Sequence, residues 1–385
     1  MNRRAFIRLT GGGIVFAALP AMIGCSSELP SEAIAAWRGP ANDRNAREWI
    51  LSYAILAPNP HNLQSWLVDL RQPAEITLYR DLDRLLPETD PFSRQIMLGH
   101  GTFLELLDIA ARERGLRADI ELFPEGEFDA TRIDQRPVAR IRLSADSNIK
   151  PDPLFAQILK RHTNREAYEA RDIPPGSAAD ITDAVATYPV RVGFVGSDKP
   201  DLLARHRAIA AEAWRIEIVT PRAILESYKV MRVGPEEIAK HRDGLTLNEP
   251  LPRLLVSLGL FDRSKAPAPD DYAVTSQIEG FNSKLESTPA FFWMITEGNS
   301  RTTQVNAGRA YVRAQLAATK LGLSMQPISQ ALQEYPEMAK PYVAIHQLLG
   351  APQPRDTVQM WVRLGYAPAI RPSPRRALEE HIIKS

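Results

Sequence analysis

One cysteine, Cys25, stands in 385 residues. The folded body can therefore hold no disulfide, no thiolate metal site and no cysteine nucleophile. Seven histidines show no H-x-x-x-H spacing, which argues against a metal site. No G-x-S-x-G elbow occurs, which argues against an α/β-hydrolase. Gly99-His100-Gly101 is not a dinucleotide fingerprint, because no G-x-G-x-x-G follows a strand. An excess of one charge is also missing. The 47 basic and 46 acidic residues give a net charge of +1, so nothing points to nucleic acid or another polyanion. The one long apolar stretch, Leu9 to Gly24, is softened by Gly11, Gly12, Gly13 and Pro20. It is too short and irregular for a good membrane span.

What is present starts with an address. Asn2-Arg3-Arg4-Ala5-Phe6-Ile7-Arg8 resembles a twin-arginine export signal, and Met22-Ile23-Gly24-Cys25-Ser26-Ser27 resembles a lipoprotein processing box with Cys25 as the acylated residue. The expected partner is the twin-arginine machinery, and the expected location is the periplasmic side or cell envelope, with a lipid anchor at Cys25. That route carries folded proteins, which suits a non-covalent cofactor loaded before export. Residues 26–44, rich in Ser, Pro, Ala and Asn, read as a tether.

The whole chain has 44% hydrophobic and 24% charged residues, as an ordinary globular protein does, and its length suits about two domains. Apolar spacing of three and four predicts helices over Arg44–Ala57, Phe92–Gly115, Leu154–Lys160, Leu202–Ile218 and Asn306–Leu321. Short apolar runs predict a hairpin from Trp66–Leu70 and Glu75–Tyr79, with further strands at Ala118–Phe123, Val138–Leu143, Val190–Val195, Ala290–Ile295 and Val358–Leu364. Pro151 and Pro153 divide a first half, 45–150, from a second, 151–385. Residues 220–271, dense in proline, read as an irregular insertion with helical pieces at Ala223–Val230 and Leu251–Leu260, which could form a lid. Gly99 to Gly115 with its following strand parallels Asn306 to Gly322 with Ser324–Pro327, so the halves look alike.

Two stretches carry chemistry. Arg161-His162-Thr163-Asn164-Arg165 sets two fixed cations and a hydroxyl along adjacent turns or one edge of a turn, which suits a phosphate monoester. Ala57-Pro58-Asn59-Pro60-His61-Asn62-Leu63-Gln64-Ser65-Trp66 is a turn-rich loop about a hundred residues earlier. Together they resemble the flavin-binding pair of the nitroreductase family. That resemblance implies an α+β, nitroreductase-like three-layer fold whose two similar halves pack as a single-chain pseudo-dimer, with one FMN at the joint. It implies Arg161 and Thr163 as phosphate ligands, and Arg165 as the cation facing the pyrimidine edge of the flavin. Pro58, Asn59 and Asn62 would lie over ring and ribityl chain. Gly322-Leu323-Ser324-Met325-Gln326-Pro327-Ile328-Ser329-Gln330 resembles the turn that aims backbone amides at the reactive ring nitrogen, which brings in Pro327, Ile328 and Ser329. Ser373-Pro374-Arg375-Arg376 resembles the family's last basic pair, and Asn282 with Lys284 an Asn/Lys pair near the ring, one residue short in spacing. Tyr168, Gln330 and Ser65 depart from the family pattern. The implied function is electron transfer through the flavin to a nitroaromatic, quinone or similar small acceptor. The alternative is a flavin-sequestering protein whose lid prevents turnover. No catalytic residue stands out. Trp66, Trp361 and His100 read as core residues, and His61 either as a proton donor or as a loop histidine capping a carbonyl.

Overall fold

The structure, a computed structural model, describes residues 28–41 and 43–384. The export signal, Cys25 and residues 26, 27 and 42 of the expected tether lie outside the described residues. In chain order the elements of the first half are α1 (Ala46–Ala54), β1 (Trp66–Asp69), β2 (Glu75–Arg80), α2 (Arg94–Glu113), β3 (Leu116–Leu122) and β4 (Ala139–Ala145). The second half has α3 (Pro175–Asp183), β5 (Arg191–Val195), α4 (Pro200–Val219), α5 (Pro221–Lys229), β6 (Met231–Val233), α6 (Gly234–His241), β7 (Leu245–Leu247) and α7 (Pro250–Ser257). It closes with α8 (Tyr272–Glu286), β8 (Ala290–Glu297), α9 (Arg301–Lys320), β9 (Ser324–Pro327), α10 (Ala339–Leu348) and β10 (Asp356–Gly365).

The expected likeness of the halves is present in their topology. Strand order is β1-β2-β4-β3 in one sheet and β5-β8-β10-β9 in the other, and every neighbouring pair in both is antiparallel. Helices α2 and α9 are each 20 residues long and begin on a buried arginine, Arg94 or Arg301. Both have glycine at the eighth position, Gly101 and Gly308, and a glycine of positive φ two residues past the end, Gly115 and Gly322.

Those two helices cross almost backbone to backbone. A Cβ on Gly101 would stand 2.0 Å from the Val305 carbonyl oxygen, and one on Gly308 would stand 2.0 Å from that of Leu98. One continuous core then joins both sheets through the helix pair. Val68, Ile76, Leu78 and Ile141 come from the first sheet, and Phe292, Met294, Val362 and Leu364 from the second. Strand alternation turns Phe291, Ile295, Val358 and Trp361 to the other face of the second sheet, where they form a second core with α4, α8 and α10. Trp66, Trp361 and His100 are buried, as expected. The C-terminal tail returns to the first half and covers the edge of β1, with Val68 and Ile383 donating backbone bonds across it.

Three expectations change. Residues 154–160 form a 3-10 turn, Phe155–Lys160, rather than an α-helix. The 220–271 region is more regular than expected: the helical pieces at 223–230 and 251–260 are α5 and α7, α6 is added between them, and all three carry proline in their first turn. At that position the missing N–H costs nothing. The small parallel pair β6–β7 ties these helices together. From Glu28 onward the expected tether is also part of the body: Ala33 is fully buried and Trp37 nearly so.

Gly101→Ala and Gly308→Ala are each expected to cost at least about 2–3 kcal/mol, because a backbone atom must move. Gly280, in α8, has open space around its Cβ position, so Gly280→Ala should be neutral or stabilising by up to about 1 kcal/mol. Urea midpoints of the three variants check this, and an unchanged midpoint for Gly101→Ala would show that the helices can separate freely.

Candidate functional site

The loop after α1 is wound tightly. His61, Asn62 and Gln64 all have positive φ, at 49°, 54° and 55°, a conformation that costs roughly 1–3 kcal/mol per non-glycine residue and persists only where surroundings impose it. Asn59 Oδ1 accepts from the Gln64 amide at 2.8 Å. Asn62 Nδ2 donates to Pro374 O at 3.0 Å, and its carbonyl accepts from Gly244 N at 3.1 Å. Gln64 Nε2 donates to Arg242 O at 2.9 Å, and its Oε1 accepts from Arg376 N at 2.9 Å. Pro58 is fixed by Thr102, whose hydroxyl donates to its carbonyl at 2.7 Å.

Against this loop lie two buried guanidinium groups. Arg161 donates to Gln315 Oε1 at 3.2 Å and to Leu56 O at 3.0 Å. Arg375 donates to Asn62 Oδ1, to Ser373 Oγ at 3.0 Å, and to Leu56 O and Ala57 O at 3.3 and 3.2 Å. Both side chains are nearly inaccessible, and the Nε of each is buried with no partner. Burial holds the pKa of Arg161 down to about 10. It holds that of Arg375 well below the usual value, and the nearby charge of Arg161 adds to this. Among the described residues neither pairs with a carboxylate, although ion pairs are plentiful elsewhere. Two like charges out of water without a counter-ion are costly. The arrangement calls for an anion.

Trp37, from the segment expected to be a tether, covers the pair. Its ring centre is 5.6 Å from the Arg161 guanidinium and 5.3 Å from that of Arg375. His162 packs on the same indole at 5.0 Å. Its imidazole is pushed down to about 4 by burial and then by the charges of Arg161 and Arg375.

The 161–165 run follows a helical turn instead of entering one. Arg161 is extended, and Thr163 forms a parallel bridge with Met325 of β9. Alternate residues of extended chain share a side, which accounts for the spacing of Arg161, Thr163 and Arg165. Thr163 Oγ1 lies 3.5 Å from Gln315 Nε2. Arg165 keeps exposed surface, and crowding by the surrounding protein lowers its pKa. His61 is held down to about 4 by burial and then by the charge of Arg165, and Arg161 reaches the residue before the loop's start, Leu56. The Tyr311 hydroxyl is buried without a partner, and the charges of Arg161 and Arg165 both act on it.

Other expected residues separate. Arg376 is bound to Glu380 through Nε at 3.4 Å and to its carbonyl at 2.9 Å, which leaves Arg375 as the uncompensated member of that pair. The Ile328 amide is used inside the sheet, donating to Trp361 O at 2.8 Å. Pro327 ends β9, and the Ser329 carbonyl accepts from Leu332. Asn282 and Lys284 stand two apart on α8, which turns them to different faces. Asn282 Oδ1 is buried without a partner. The Lys284 carbonyl accepts from Arg363 Nη1 at 3.0 Å. Residues the sequence reading missed are Trp37, Tyr311 and Gln315. The last two are an i, i+4 polar pair on the otherwise small and apolar face of α9, a signal that was there to find.

The symmetry-related joint, ahead of β5, is built differently. Glu105 there accepts from Tyr188, from Arg309 Nε at 2.8 Å and from Arg313 Nη1 at 2.9 Å, and Arg313 also meets Asp152 at 2.8 Å. Its cations are neutralised from within.

Comparison with known proteins settles the lineage. The nitroreductase family model matches residues 158–366, from just before the Arg161 run to the end of β10. The chain belongs to the nitroreductase family. Two Mycobacterium tuberculosis proteins are similar over most of its length. "Putative NAD(P)H nitroreductase Rv3131" is 28% identical over 345 residues, covering 86% of this chain and 89% of that one. "Putative NAD(P)H nitroreductase acg" is 25% identical over 342 residues, covering 85% and 92%. Among solved structures, the FMN-dependent nitroreductase NfnB from Mycobacterium smegmatis in complex with NADPH aligns over 60% of this chain and 96% of its own, with 17% identity and a TM-score of 0.36.

His61 and His162 titrate near 4 in the folded nitroreductase chain and ordinarily near 6.5. Between those values the unfolded chain binds more protons, so stability is full above pH 6.5 and falls as pH drops toward 4. His162→Asn should remove on the order of 1–2 kcal/mol of that fall. Denaturation midpoints at pH 7 and pH 5 test it, and an equal drop in both proteins would refute the assignment.

Proposed function

We propose that this nitroreductase binds one FMN per chain at the joint where the 58–62 loop meets Arg161, and passes electrons through it to a small acceptor such as a nitroaromatic or quinone. The observation that carries this is the pair of buried, uncompensated guanidinium groups with partnerless Nε atoms. A phosphate monoester supplies the dianion they lack, and charge-assisted bonds of this kind are the strong ones. Arg161, Arg375 and Thr163 would hold the phosphate, and Trp37 with His162 would exclude water from it. Arg165 would keep positive potential where negative charge develops. Tyr311 offers its free hydroxyl between the two cations. When bound, FMN supplies two-electron redox chemistry that no side chain of this protein has. The self-neutralised cluster around Glu105 supports one site, not two, and so a single chain doing what a pair of subunits would.

A second reading has its own support. The insertion leans on the loop: Ser227 Oγ lies 3.1 Å from His61 Nε2, and Gly244 is bonded to Asn62. A lid held there would favour flavin sequestration without turnover. Anaerobic reduction of the purified protein separates the two readings, since a closed ring would resist bleaching by an external donor.

Arg161→Met is expected to weaken FMN binding about ten- to a hundred-fold, while the apo protein loses little stability or gains some. A structural ion pair would behave oppositely, with several kcal/mol lost on truncation. Flavin content per chain should saturate at one for the unaltered protein. Two flavins per chain, or undiminished binding by the variant, would overturn the site.

We further propose export by the twin-arginine route and anchoring through Cys25, on the strength of Arg3, Arg4 and the residues before Cys25. Arg3→Lys with Arg4→Lys should strand the protein in the cytoplasm, and Cys25→Ser should abolish acylation. Fractionation and intact mass would read both, and a lipid-bearing Cys25→Ser chain would refute the anchor.

A further inference from the structure

Helix α7 is the one helix of the insertion that buries nothing. Leu251 and Leu254 are 53% and 38% exposed, and Leu258, directly after the helix, is 56% exposed. Their spacing of three and four sets them on one face, and Leu260 extends the patch. From Pro250 to Phe261 the only charged residue is Arg253. Monomeric soluble proteins seldom leave so apolar a stripe without a partner.

The place where the chain enters the body identifies the partner. Asn248 Nδ2 donates to the carbonyl of Glu28 at 2.9 Å, so the N-terminal segment arrives two residues from the start of α7. Cys25 is three residues before Glu28, a reach of at most about 10 Å. Upstream of it lies the apolar stretch Leu9 to Gly24. Whatever holds Cys25 at a bilayer therefore holds the start of α7 near the same surface, where interfacial helices seat their apolar face about 5–10 Å deep.

We propose that the leucine stripe of α7 is a second membrane contact, lying in the lipid interface beside the N-terminal attachment and fixing which side of the protein faces the bilayer. The inference rests on the anchoring reading, not on the flavin site. It also differs from a span: no described helix is long and apolar enough to cross a membrane.

The test supplies the anchor chemically, so it does not depend on acylation in the cell. The full chain is coupled through Cys25, its only thiol, to a maleimide phospholipid in phosphatidylethanolamine–phosphatidylglycerol vesicles. Hydrogen exchange of residues 250–261 is compared with that of the uncoupled chain. Exchange should slow about tenfold or more on vesicles, and Leu251→Ser with Leu258→Ser should abolish the slowing while the chain stays coupled. Unchanged exchange on vesicles overturns the proposal. So does protection already present in the uncoupled chain, because the stripe would then be covered by a second copy or by the chain's own 9–24 stretch. Sedimentation tells those two apart.

Discussion

The close crossing of α2 and α9 is the constraint on which the rest depends. Glycine at the eighth position of each helix lets two backbones meet where any side chain would clash, and this brings two sheets of the same topology onto one shared core. Because the crossing relates the halves, each joint draws on both. The loop before β1 belongs to the first half and the 161–165 run to the second, and only this packing brings His61 within reach of the charge on Arg165. A site divided in this way cannot exist in either half alone.

Regular elements were legible where periodicity was strong. The strands around Trp66, Ala139, Ala290 and Val358, and the helices at Arg94, Pro200 and Arg301, lie within a few residues of expectation. The likeness of the halves was legible too, through Gly115 and Gly322 at equivalent helix ends. The helices of the insertion begin on prolines, Pro221 and Pro250, one or two residues ahead of the expected starts, because the residues around a proline do not by themselves separate a helix start from a break. The order of the 28–41 segment was invisible for a different reason. Its composition is that of a linker, and Trp37 is held by cations from residues far along the chain, which no local reading can foresee.

At the candidate site, the Arg161 run and the Asn62 loop stood out in the sequence because their residue types are unusual together. Their neighbours did not, because an orphaned guanidinium is a fact of burial and not of sequence. Adjacent residues also have different surroundings. Arg375 has no carboxylate partner while Arg376 is bonded to Glu380 and to the loop, a division that a basic pair in sequence cannot reveal.

The two joints show how a symmetric scaffold gives an asymmetric result. Around Glu105 the arginines have carboxylates, and Glu105 also accepts from the Tyr188 hydroxyl, so that cluster is satisfied from within. Around Arg161 the same scaffold leaves positive charge in excess and encloses it under Trp37. Low dielectric sharpens the contrast, since burial strengthens a satisfied network and penalises an unsatisfied one. The penalty at the Arg161 joint is sustained only because the crossing, the C-terminal tail and the strained loop all hold it in place from different directions. Structure that is costly, uniquely placed and supported by distant parts of the chain is what a binding site requires before its ligand arrives. The Glu105 joint carries no such cost, because its charges are neutralised where they stand.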